Sequence, residues 1–298
     1  MRLIGMMPVR NEAWCLGLSL RVALMWCDEV VVLLHACTDR SHEIAWEVYR
    51  ENEGRMHIVD WPTSTWEEMP QRQFLLEQAR MNSATHLAII DADEMLMGPM
   101  LATQGRTALN RATIALMPDD SILQWPGYNL RNGINQYHSN GIWGNRWFSV
   151  AFADDPALSW SGDRFHHREP IGKKLTPYQP IQQGQGGILH LWGASHRRLV
   201  AKHALYKVTE HIRKMRSFAQ IDYEYSLAIK GNPARPNDIG TPATWTYNTV
   251  PEPWWAPYSH LMKYLDVDAE PWQEAEVRRL VAEHGREKFA GLDLFGLV

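Results

Sequence analysis

Two hydrophobic periods alternate along the first ninety residues. Residues 2–7 form a short apolar run suited to a buried strand and broken at Pro8. Residues 12–26 space Leu16, Leu20, Ala23 and Leu24 along one helical face. Residues 28–34 are β-branched and apolar, as in a central strand. The alternation continues with a helix over 39–52 capped at Asp39 or Ser41, a strand over 55–59, a helix over 67–81 and a strand over 86–90. Such strand–helix repetition predicts an α/β fold with a mostly parallel central sheet, right-handed crossovers and helices on both faces. Ligands of such a sheet bind outside the carboxyl ends of its strands.

Beyond Gly98 the pattern changes to that of a mixed sheet, with strands over 112–117, 121–125 and 143–152. A Gln- and Gly-rich loop, 182–187, precedes a short strand over 188–192. Ser195 then caps a long helix whose apolar line is Leu205, Val208, Ile212 and Met215. Residues 233–257, dense in Pro and Trp, read as ordered coil wrapping the body, and a final helix is expected at about 274–284. No repeat or linker interrupts the chain. The expectation is one domain over 1–298: a nucleotide half (1–97), a metal and acceptor half (98–232) and a C-terminal extension (233–298).

With 298 residues, 45% hydrophobic and 21% charged, the chain can bury a normal core. No apolar run approaches the roughly 20 residues of a membrane span, and the N-terminus is not a signal peptide. Cys15, Cys27 and Cys37 form no C-x-x-C pair, which points to a reduced, cytoplasmic setting. A net charge of −4 excludes a uniformly basic nucleic-acid coat. The charge is uneven, however. Between Trp160 and Arg216 eleven Lys or Arg face three Asp or Glu, a local +8 that leaves −12 elsewhere. That stretch predicts a place for an anionic ligand, against the plainer alternative of a solvated basic face.

The strongest chemical signal is Asp91-Ala92-Asp93-Glu94, directly after the apolar strand. On an extended segment, side chains two apart point the same way, so Asp91 and Asp93 are expected to converge on one ion. Paired carboxylates are hard ligands suited to Mg²⁺ or Mn²⁺, which bind diphosphate oxygens. A lone D-x-D is common, and loop or capping acids are the bland alternative; the strand-end position favours the ligand reading. Pro8-Val9-Arg10-Asn11-Glu12 closes the first strand. Arg10 there suits a phosphate, and Asn11 or Glu12 a base or ribose, unless Asn11 is simply a helix N-cap.

These residues resemble a family 2-type glycosyltransferase of the GT-A fold. Pro8-Val9-Arg10-Asn11-Glu12 is similar to that family's P-x-x-N-E opening, and Cys37-Thr38-Asp39-Arg40-Ser41 to its G-S-T-D-x-S loop. The helix from Arg72 to Ala79 resembles its R-N-x-x-x-x-x-A segment before Asp91-Ala92-Asp93-Glu94. Downstream, His190, Ser195, Lys202 and Tyr206 resemble an H-x₄-S-x₆-K-x₃-Y pattern. The likeness covers residues 1 to about 95 well, is patchy to about 210, and ends there.

The resemblance implies a GT-A fold and a bound nucleoside diphosphate sugar, with a UDP-sugar favoured. Pro8, Arg10, Asn11, Glu12, His35, Asp39, Arg72, Asp91, Ala92, Arg198 and Lys202 would hold the donor. Asp91, Asp93 and His190 would hold Mn²⁺ or Mg²⁺, an imidazole tilting the site towards manganese. His35 departs from the family, which usually places an acid there against uracil. Inversion would need one carboxylate to deprotonate the acceptor hydroxyl. Glu169 is the first candidate and Asp163 the second, each otherwise an ion-pair partner of Arg164 or Arg168. The acceptor is expected to be a modified DNA base or a glycan. Two other classes compete: a nucleotidyltransferase, which normally shows a Gly-rich loop after its first strand that Pro8-Val9-Arg10-Asn11 lacks, and a non-catalytic sugar- or nucleic-acid-binding protein.

Overall fold

The structure, a computed structural model, describes residues 1–104, 107–144 and 146–298. The chain runs β1 (Leu3–Val9), α1 (Leu16–Trp26), β2 (Glu29–His35), α2 (Ser41–Glu51), β3 (Met56–Trp61), α3 (Glu68–Met81) and β4 (His86–Ile89). It continues with β5 (Glu94–Leu96), the short pair β6 (Thr103–Gln104) and β7 (Thr107–Ala108), α4 (Leu109–Ala115), β8 (Ser121–Arg131) and β9 (Gln136–His138). Then come α5 (Gly141–Gly144), β10 (Arg146–Ala153), β11 (Thr176–Tyr178), β12 (Ile188–Gly193), α6 (His196–Ile212), α7 (Phe218–Lys230), β13 (Tyr247–Thr249) and α8 (Trp272–His284). These elements form two compact units. The first is Met1–Gly127, Trp147–His190 and Pro251–Asp266; the second is Tyr128–Arg146, Leu191–Val250 and Val267–Val298.

In the first unit the strands lie in the order β3, β2, β1, β4, all parallel, with β10 antiparallel on the outer edge of β4. This is the expected mostly parallel α/β sheet. Its apolar strands bury Ile4, Met6, Val31, Leu33, Leu87 and Ile89 against Leu75, Leu76 and Ala79 of α3, a dry interface of the kind that dominates folding free energy. The order reverses at β1: β2 and β3 are added on one side, β4 on the other. The crevice outside the carboxyl ends of β1 and β4 is therefore the topological switch point, where sheets of this class bind ligands.

Several expectations change. β1 does not stop at Pro8 but runs to Val9, with Pro8 opposite Leu33 of β2. Met6 O still accepts from the Ile90 amide, but β4 has ended by the level of Pro8, two residues on. The proline has no N–H to carry the ladder past that bond, so the β1–β4 pairing stops there. α1 begins at Leu16 rather than at residue 12, so Asn11 is not its N-cap. Asn11 is held left-handed at φ 55°, and Glu12 O accepts from the Cys15 and Leu16 amides in a tight turn. Residues 112–117 were expected as a strand, yet Leu109–Ala115 is helical. A short apolar run does not distinguish the two periods, and the Asn110 side chain fixes the turn by donating to Met100 O.

In the second unit α6 packs with α7 and α8 around Ala204, Leu205, Val208, Ile221, Val277 and Val281. Ser195 caps α6 as expected, its hydroxyl accepting from the Arg198 amide. β13 pairs antiparallel with β9, so the Pro- and Trp-rich stretch is not coil throughout. The basic stretch is not one solvated face. Lys207 is wholly buried, with Asp222, Ser226 and the Asp293 carbonyl as acceptors. Arg197 pairs with Glu274, Arg216 with Glu210 and Glu224, and Lys173 with Asp155. Among the described residues no helix is long and apolar enough to cross a membrane.

Candidate active site at the carboxyl edge of the parallel sheet

The acidic motif is a turn rather than an extended segment. The Glu94 amide donates to Asp91 O at 2.9 Å, and the Asp91 amide to Glu94 Oε2 at 3.1 Å. The turn sends the chain into β5, which pairs antiparallel with β12 so that Glu94 sits opposite His190. Because the backbone turns, Asp91 and Asp93 take different partners. Asp93, 5% exposed, has Oδ1 at 3.5 Å from His190 Nε2. Asp91 faces two arginines: Oδ1 accepts from Arg72 Nη2 at 3.2 Å and Oδ2 from Arg168 Nη1 at 3.1 Å.

Arg168 is the centre of this corner. Besides Asp91 it donates to both oxygens of Glu94, at 2.6 and 2.7 Å, and to the Ile89 and Ser149 carbonyls. Arg72, on α3, also pairs with Glu68, whose second oxygen accepts from the His166 amide at 2.7 Å. Charges alternate along Glu68, Arg72, Asp91, Arg168 and Glu94, which is how buried ions are tolerated. Burial pushes the Asp91 carboxyl up, but the two guanidinium groups outweigh it and hold it below the ordinary carboxylate range. For Glu94 burial wins over the pull of Arg168, and its carboxyl lies above its ordinary value.

At the other side of the crevice Asn11 ties two strand ends together. Its Oδ1 accepts from the Thr38 amide at 2.7 Å and the Asp39 amide at 3.2 Å. Asp39 accepts from the Ala13 and Ser41 amides, and Ser41 Oγ from the Glu12 amide. The Trp14 indole donates to the Glu12 carboxylate, and Arg10 Nη1 to Ser64 O. Ala92 is buried, its carbonyl accepting from Cys15 Sγ. His35 closes β2, 3% exposed, with Nε2 unpartnered. Burial first, then Arg10, lower its pKa to about 4, so its imidazole is neutral at pH 7.

Glu169 is exposed and accepts a short hydrogen bond from Ser149 Oγ. Extending the β10–β4 register places Ser149 opposite Ile90, one residue before Asp91. The adjacent Phe148 ring lies edge-on to His190, 5.5 Å between centroids. Asp163 lies in an exposed loop. The first unit therefore brings together Pro8, Arg10, Asn11, Glu12, His35, Asp39, Arg72, Asp91, Ala92, Asp93, Glu169 and His190. Arg198 and Lys202 belong to the second unit, where Arg198 is buried and donates to Ala269 O. Nothing in the sequence pattern marks Phe148 or Ser149, and it offers Arg168 only as a partner for Glu169 or Asp163. Its guanidinium instead points across the sheet edge.

No three His, Cys, Asp or Glu side chains group as a metal cage among the described residues. The donors present suit a divalent ion in part. Adjacent ligands of one ion at about 2.1 Å lie roughly 3.0 Å apart, close to the separation of Asp93 and His190. A carboxylate with an imidazole fits Mn²⁺ or Mg²⁺, the former better. Each Asp91 oxygen already accepts from an arginine, so Asp93 and His190 are the pair that stands at ligand spacing.

No family model matches the chain, and no curated protein matches it. Among solved structures it is similar to S. aureus TarS, at 12% identity over 97% of this chain and 54% of that one, with a TM-score of 0.43. It thus spans about half the length of that protein. It is also similar to the mannosyltransferase PcManGT from Pyrobaculum calidifontis in complex with GDP-Man and Mn²⁺, at 11% identity over 99% and 84% of the two chains, TM-score 0.40. A third is glucosyl-3-phosphoglycerate synthase from Mycobacterium tuberculosis with Mg²⁺ and UDP, at 14% identity over 43% of each chain, TM-score 0.28.

Proposed function

We propose that the protein is a metal-dependent glycosyltransferase of the GT-A type. It would transfer a sugar from a nucleoside diphosphate donor, a UDP-sugar by preference, to a hydroxyl of a modified DNA base or a glycan. The observation that carries this reading is the Asp93–His190 pair at the switch point of a parallel sheet, beside an Asp91 held by Arg72 and Arg168. Asp93 and His190 would hold the ion, whose chemistry is to neutralise the departing diphosphate. Arg72 and Arg168 would hold Asp91 ionised beside the ion and the nucleotide. Neutral His35 offers the base one ring nitrogen. Glu169, anchored by Ser149, is the base: it takes the acceptor proton as the new C–O bond forms and the bond to diphosphate breaks.

The test is thermal unfolding with a panel of nucleotide sugars, with and without Mn²⁺, followed by slow donor hydrolysis. A nucleotide diphosphate should stabilise the protein only when Mn²⁺ is present, and Asp93→Asn and His190→Ala should each abolish that coupling. Stabilisation without metal dependence would remove the basis of the proposal. Transfer that persists at full rate in Glu169→Gln would move the base elsewhere, with Asp163 next.

A further inference from the structure

The second unit contains a buried arginine to which the described residues supply no carboxylate. Arg131 closes β8 and is 4% exposed. Its Nη2 lies 3.0 Å from Nδ1 of His196, the first residue of α6, and the Tyr247 hydroxyl is near enough to favour its charge. Among the described residues its Nε and Nη1 hydrogens meet no acceptor. His138, wholly buried and within electrostatic reach of that guanidinium, has no partner for either ring nitrogen among the described residues. The rings of Trp245 and Tyr247 enclose it at centroid distances of 5.0 and 5.1 Å.

An unpaired buried guanidinium strongly destabilises a fold, and buried polar groups are otherwise almost always bonded. The surroundings all favour a negative charge. α6 has 17 residues, and its positive end starts at the His196 that touches Arg131. Arg198, two residues on, donates to Ala269 O. His196 is exposed, so the cluster borders solvent. Neutral His138 carries one N–H that an anion oxygen accepts. Donors on separate groups require a ligand with several oxygens.

We propose that Arg131, His138 and the N-terminus of α6 form a site for a small phosphate-type oxyanion, free or esterified. The proposal does not rest on the glycosyltransferase reading. Thermal unfolding with inorganic phosphate against chloride, at matched ionic strength, tests it. Wild type should show a saturable rise in Tm, and Arg131→Met should weaken the apparent phosphate affinity about tenfold or more. Without phosphate, Arg131→Met should be at least as stable as wild type, because the unpaired charge is gone. Should that variant fail to fold, Arg131→Lys serves instead and should retain a weakened response. Glucose 6-phosphate separates the sources: a tighter response than inorganic phosphate indicates an esterified ligand, an equal or weaker one the free ion. No saturable response in wild type, or one that survives Arg131→Met unchanged, overturns the proposal.

Discussion

Replacing Arg168 by Met tests the energetics of the acidic corner directly. The substitution removes the guanidinium that pairs with Glu94, whose side chain is 4% exposed, while Asp91 keeps Arg72. Breaking one partner out of a buried ion pair costs about 3–5 kcal/mol, and for a chain of this size that lowers Tm by on the order of 10 °C. The loss should depend on pH in a definite sense. Burial already raises the Glu94 carboxyl above its ordinary value, and without the guanidinium it rises further. A carboxyl raised in the folded state is protonated there while the unfolded chain has ionised, so its contribution is fully present below the unfolded pKa and falls as pH rises through the folded one. The variant should therefore be closest to wild type near about pH 4 and furthest from it at neutral pH. Urea unfolding across that range measures this, and Arg168→Met with Glu94→Gln should recover most of the difference. A loss under about 1 kcal/mol, or one independent of pH, would refute the assignment of Arg168 as the anchor of this corner.

Asn11→Ala should lose about 2–4 kcal/mol in denaturant unfolding, since two amides lose their acceptor and alanine replaces asparagine at a positive φ. His35 should titrate near pH 4 by NMR. Its lowered pKa means stability falls as pH drops from about 6.5 towards that value, because the unfolded chain takes up the proton first. Gly187→Ala should displace β12, because a Cβ there would sit 2.0 Å from Pro126 O at φ +142°. The expected readout is a weaker Mn²⁺-dependent stabilisation by nucleotide. Lys207→Met should cost about 2–4 kcal/mol by taking the cationic partner from Asp222 and the donor from the Asp293 carbonyl, and limited proteolysis should then cleave near the C-terminus faster.

The parallel half was legible because each of its elements carries a long, clean period: Val30 to Leu34 can only be a buried strand, and Leu16, Leu20 and Leu24 only a helix face. The acidic motif was legible as a site but not in its geometry. Asp91 and Asp93 share a face only if the backbone stays extended, and the bond from the Glu94 amide to Asp91 O makes it turn. Arg168 was illegible because its partners lie some seventy residues back in the chain, and spacing says nothing about where a long side chain points. The strand expected at 112–117 failed for the usual reason that five apolar residues fit either period. Arg131 and His138 went unnoticed since neither belongs to a recognisable motif; only burial with polar atoms left over marks them.

Each unit is assembled from three separate stretches of chain, and this shapes how the protein can be made. While the ribosome releases residues 1–127, β4 has β1 on one edge and nothing on the other, because β10 is still to be synthesised. An uncovered apolar strand edge of that kind pairs readily with other chains. The nascent protein is thus vulnerable to aggregation over a defined interval, and a fragment ending near residue 127 would carry that vulnerability permanently.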